Sequence, residues 1–161
     1  MSLLNTRAGV ELTADRLFGH RIRRLVAISA IALGAIWALA FADDAETWIL
    51  VLLGIGWVLM PTVLALSLSR PMTRYALVIP ATTVSIGLLA MTVSAPQSTV
   101  TGWVFITAGI LIGGLLGMWF WFRWLPVPRP FDDPFGVPRL ALVGLHLGLV
   151  LAGMTMVGLG L

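Results

Sequence analysis

Lysine is absent from this chain, and its ten basic residues are all arginines confined to three segments. Arg7, Arg16, Arg21, Arg23 and Arg24 precede the first apolar stretch, Arg70 and Arg74 separate the second from the third, and Arg123, Arg129 and Arg139 separate the fourth from the fifth. Alternate connections therefore carry all the positive charge. Arginine resists transfer across a bilayer, so this segregation predicts a cytoplasmic N-terminus and a C-terminus outside. The expected fold is an all-α integral membrane bundle of five transmembrane helices, preceded by a short interfacial helix.

Composition supports that class. Hydrophobic residues make up 59% of 161 positions and charged residues 11%, more apolar surface than one soluble core of this length buries. The net charge of +3 resembles a nucleic-acid signature only until the charges are assigned to sides. Glu11, Asp15, Asp132 and Asp133 fall with the arginines, whereas Asp43, Asp44 and Glu46 fall opposite them. Topology accounts for the charge, and no nucleic-acid partner is expected. The absence of cysteine excludes disulfides, thiolate nucleophiles and cysteine metal sites.

The expected spans are 25–42, 47–68, 75–93, 101–122 and 140–161, each near the ~20 residues that cross a hydrocarbon core. They form one membrane domain, 1–161, with 1–24 a cytoplasmic amphipathic segment and 123–139 a proline-rich cytoplasmic loop. Trp48 and Trp103 are expected at the outer interface, with Tyr75, Trp119, Trp121 and Trp124 at the inner one. Small residues in 38–42 resemble a signal-peptidase site, but the long apolar run and the preceding acidic residues favour a retained span.

Small residues set the expected packing. Gly109, Gly113 and Gly117 recur every fourth position in the fourth span, as do Gly144, Gly148 and Ala152 in the fifth. Such stripes allow close backbone approach, so these two spans are expected to pair through them. Pro61 and Pro80 each remove a backbone donor and are expected to kink spans two and three. Pro80 with Thr82, Thr83 and Ser85 would make a polar path if the freed carbonyls and hydroxyls line one side.

Chemistry-bearing residues are sparse. None of the five expected spans contains Asp, Glu, Lys or Arg, which removes the usual groups of ion-coupled transport and proton relay. His146 is the ionisable exception. It lies about 200° round the helix from Gly144, so it faces another helix, a cofactor or another subunit. No cofactor is expected as a fixture; the alternative is haem b on His146, with His20 as second ligand, or a quinone hydrogen bond. The loop alternates Pro126, Pro128 and Pro130, an extended and stiff path that presents Trp124, Arg129, Phe131, Asp132, Asp133 and Phe135 for docking. Neighbouring Asp132 and Asp133 lack further ligands at a useful spacing, so no metal site is expected.

These features point to a multi-pass plasma-membrane protein that is a non-catalytic accessory or assembly subunit. Its expected partners are membrane lipids and other membrane subunits or itself. A small oligomeric transporter or channel for a neutral solute is the second reading, and a haem- or quinone-associated redox subunit using His146 the third. All-arginine usage suits a GC-rich bacterial genome. With no native cysteine to interfere, engineered thiols report topology directly. Thr73→Cys is expected to react with a membrane-impermeant maleimide only after lysis, whereas Ser98→Cys reacts in intact cells; the opposite pattern would overturn the orientation.

Overall fold

A computed structural model describes residues 2–116 and 137–161. Among them every regular element is helical: α1 (Ser2–Ala42), α2 (Thr47–Ser69), a 3₁₀ segment (Pro71–Leu77), α3 (Val78–Ser94), α4 (Val100–Ile110) continuing into a π-helical stretch (Leu111–Leu116), and α5 (Val137–Leu159). Four helices are long and apolar enough to cross a membrane, over Arg23–Ala42, Thr47–Ser67, Tyr75–Ser94 and Ala141–Leu159. The chain has the architecture of a multi-pass membrane protein. Val100–Gly113 is a shorter apolar helix, and residues 117–122 of the expected fourth span lie outside the described residues.

The separate interfacial helix does not form. Helix α1 runs unbroken for 41 residues, about 60 Å at 1.5 Å per residue, roughly twice a hydrocarbon core. Nothing between Leu12 and Leu25 interrupts it, since that stretch has no proline and one glycine, Gly19. Helix α1 ends where Asp44 adopts φ 54°. The Ala45 amide then donates to Ala40 O at 3.0 Å and the Asp44 amide to Phe41 O at 3.3 Å, closing the last turn. Gly160, at φ 69°, ends α5 in the same way, with Leu161 N donating to Met156 O at 2.9 Å. Aspartate is among the few residues besides glycine that enter this left-handed region readily.

Helices α1 and α2 are joined by a reciprocal clasp. Leu33-Gly34-Ala35-Ile36-Trp37 and Leu53-Gly54-Ile55-Gly56-Trp57 share the pattern Leu-Gly-x-x-Trp. The Trp37 indole N–H donates to Leu50 O at 3.0 Å, and the Trp57 indole N–H donates to Ala30 O at 2.9 Å. Each ring covers the glycine of the opposite helix. A Cβ on Gly34 would lie 3.1 Å from the Trp57 ring, and one on Gly54 would lie 3.3 Å from Trp37 Nε1. The rings also stack on one another at 5.9 Å. Two indole donors thus find carbonyls across the helix pair where lipid supplies none.

Pro61 lies within α2, as expected. Pro80 does not interrupt a helix: α3 begins at Val78 after the 3₁₀ segment, which puts this proline in the first turn, where amides lack intrahelical partners. The carbonyl of Ala76, four residues before Pro80, accepts from the Val78 amide. Between α3 and α4, Thr92 Oγ1 and Thr107 Oγ1 lie 2.8 Å apart, and Thr107 donates to Leu88 O at 3.2 Å. The central core takes Ile36 and Ala40 from α1, Ile49 and Leu53 from α2, Leu88 and Met91 from α3, Trp103 and Ile106 from α4, and Val150 and Val157 from α5.

Trp103, expected at the outer interface, packs inside the bundle beside the loop that follows α1. It is 0% exposed, and its indole N–H donates to Asp43 Oδ2 at 2.8 Å. Thr99 Oγ1 donates to the same oxygen at 2.6 Å. The carboxylate just past the end of α1 therefore fastens the start of α4. Asp43→Ala leaves a buried indole donor unpaired and is expected to lower stability by about 1–3 kcal/mol. Glu46→Ala, which removes only the exposed bond to Trp48, is expected to change it by less than about 0.5 kcal/mol. Thermal unfolding of the two variants in detergent checks the contrast.

Candidate functional site

The seam between α4 and α5 holds the ionisable residue singled out from the sequence. On α4 and its π-helical continuation the face is Gly102, Ile106, Gly109 and Gly113; on α5 it is His146, Val150, Gly153 and Val157. Steps of four, three and four residues keep the α5 set on one side of the helix. A Cβ on Gly102 would lie 2.9 Å from Gly153 O and from Val157 N, and one on Gly153 would lie 2.7 Å from Ile106 N. Backbone meets backbone here, so neither position has room for a methyl group.

His146 fills the end of the seam opposite Gly102 and Val157. Its Nδ1 lies 2.6 Å from Gly109 O. A carbonyl oxygen accepts only, so Nδ1 is the donor in this contact, and in the neutral tautomer that this bond selects Nε2 holds the lone pair. The imidazole occupies the space a side chain at residue 113 would need, with Nδ1, Cγ and Cε1 nearest to Gly113. Glycine at 113 is thus a condition for the ring to reach Gly109. The π-helical stretch starts two residues after Gly109. There the backbone register moves from i→i−4 to i→i−5, a change that places carbonyls within reach of outside donors.

The expected α5 stripe lies elsewhere. Gly144, Gly148 and Ala152 are exposed, and among the described residues nothing lies within 4 Å of a Cβ on Gly144 or Gly148. The pairing of α4 with α5 uses the opposite face because Gly153, which has no glycine or alanine four residues to either side, offers the closest approach. Gly109 and Gly113 do face α5. Gly117 and the loop residues Trp124, Arg129, Phe131, Asp132, Asp133 and Phe135 lie outside the described residues.

The expected polar path does not assemble on one side. Thr82 is exposed and Pro80 buried. Thr83 donates to Ile79 O at 2.9 Å, and buried Ser85 donates to Ala81 O at 2.7 Å, each within α3. His20 is exposed on α1, and among the described residues no three His, Asp or Glu side chains gather as a metal site.

Sequence reasoning missed Gly102, Gly153 and Asp43. A Gly-x₆-Gly spacing from Gly102 to Gly109 was readable as a heptad step; the Asp43–Trp103 bond, 60 residues apart, had no local signal. Gly102→Ala and Gly153→Ala are expected to lower the unfolding free energy by about 1–3 kcal/mol through backbone displacement. Gly144→Ala and Gly148→Ala are expected to change it by less than about 0.5 kcal/mol. Calibrated unfolding in mixed micelles distinguishes the two pairs. The chain matches no family model, no curated protein sequence and no solved structure, so its residues alone carry the functional reading.

Proposed function

We propose that this protein is a non-catalytic accessory or assembly subunit of a larger membrane complex, docking through the outward face of α5. The supporting observation is the free small-residue stripe of Gly144, Gly148 and Ala152. Helix α5 packs within the chain by its opposite side, which leaves a smooth surface for another helix. Contacts across such surfaces come from close van der Waals approach and weak Cα–H···O bonds, because lipid provides no hydrophobic drive between helices.

The same reading places five crossings in the plasma membrane of a bacterial cell, with the N-terminus in the cytoplasm. The proline-rich loop 123–139 then lies on the cytoplasmic side, immediately before α5. Its aromatic residues Phe131 and Phe135 give the partner a second point of attachment, next to the first in sequence. Transport has less support, since Thr83 and Ser85 donate to their own helix and present no shared polar surface.

Affinity purification of the tagged protein from native membranes tests the proposal. Stoichiometric membrane subunits are expected to co-purify with the wild type. Gly144→Ile with Gly148→Ile is expected to release them while leaving gel-filtration behaviour and thermal unfolding of the isolated chain unchanged. Phe131→Ala with Phe135→Ala is expected to weaken retention in the same assay. A wild type that purifies alone, or partners retained by both double variants, would reject the reading.

A further inference from the structure

We infer that the His146 imidazole is a binding site for a lipid-soluble hydroxyl donor of the quinol class. This inference stands apart from the accessory-subunit reading and rests on the His146 end of the α4–α5 seam. Three features converge there. The Nδ1–H is held by Gly109 O at 2.6 Å, the ring is seated against Gly113, and the residue is half-exposed within the apolar span Ala141–Leu159.

Binding selectivity follows from the proton's position. Because Nδ1 is the donor to a carbonyl, Nε2 of the neutral ring is an acceptor. It lies on the ring edge away from the atoms nearest Gly113, and it has no hydrogen-bond partner among the described residues. A ligand that reaches it must dissolve in the hydrocarbon region and offer an O–H. A quinol meets both conditions, with an acidic phenolic hydroxyl that makes a strong hydrogen bond to imidazole. The oxidised quinone has two carbonyl acceptors and no O–H, so it gains nothing from this nitrogen. The site therefore distinguishes two redox forms of one molecule by hydrogen-bond direction alone, without itself transferring electrons.

The ring's preorganisation strengthens that discrimination. Fixed by Gly109 and supported by Gly113, the imidazole cannot turn to offer Nδ1–H to a quinone without giving up its bond to Gly109 O.

The test uses the whole protein in lipid nanodiscs, with a one-isoprene benzoquinol and the matching benzoquinone as probes. Titration is expected to give about tenfold tighter binding of the quinol, the value of one hydrogen bond. His146→Ala is expected to bring the two affinities together. In protein labelled with ¹⁵N-histidine, the Nε2 resonance of His146 is expected to shift with quinol and stay fixed with quinone, while Nδ1 remains protonated. The labelled wild type decides the matter should the alanine variant fail to fold. Equal affinities, an unmoved Nε2 resonance, undiminished discrimination in a folded His146→Ala protein, or a haem Soret band from the purified wild type would each overturn the inference.

Discussion

A donor placed among apolar helices must find an acceptor inside the protein, and that constraint organises this molecule. The backbone satisfies itself within each helix. What remains are side-chain donors, and most of the described ones turn to backbone carbonyls, while Trp103 and Thr99 meet the Asp43 carboxylate. Thr62, Thr83, Ser85 and Thr155 return to their own helices. Trp37, Trp57 and Thr107 reach a neighbouring helix, as His146 does. The second group ties the bundle together, because each bond fixes one helix against another at a specific height.

Glycine makes those reaches possible. Trp57 lies over Gly34, Trp37 over Gly54 and His146 over Gly113. In each case an absent side chain on one helix creates the place for a large polar ring from the other. The Gly102–Gly153 contact follows a different logic: there the backbones themselves approach, without a polar side chain between them. The chain thus uses glycine in two ways, as a seat for rings and as a means of close approach, and only the second was anticipated from the spacing of small residues.

Much of the architecture was legible from composition. The expected second span at 47–68 meets α2 at Thr47–Ser69, and the expected third at 75–93 meets the apolar window Tyr75–Ser94. Hydropathy locates such segments because their burial in lipid is a property of the segment alone. Faces were harder. The regular stripe of Gly144, Gly148 and Ala152 suggested the contact with α4, whereas Gly153 and the β-branched Val150 and Val157 make it. Regular spacing identifies a smooth surface without identifying its partner. The Asp43–Trp103 bond and the Trp37–Trp57 clasp depend on which helices meet, information that no local window contains. His146 was recognisable as a polar residue requiring a partner, but a carbonyl acceptor leaves no mark in the sequence.

The orientation of α5 links the proposed docking face to the imidazole. If His146, Val150, Gly153 and Val157 face α4, then Gly144, Gly148 and Ala152 face outward, since an offset of two residues from His146 or Val150 turns a side chain through roughly half a circle. Rotational-echo double-resonance NMR in lipid bilayers tests that orientation most directly, with ¹⁵N in histidine and ¹³C in the glycine carbonyls. The account predicts dephasing between His146 Nδ1 and the Gly109 carbonyl carbon, matching the 2.6 Å nitrogen–oxygen contact, and its loss in His146→Ala. Absence of that coupling in the wild type would contradict the arrangement of the seam and the functional readings built on it.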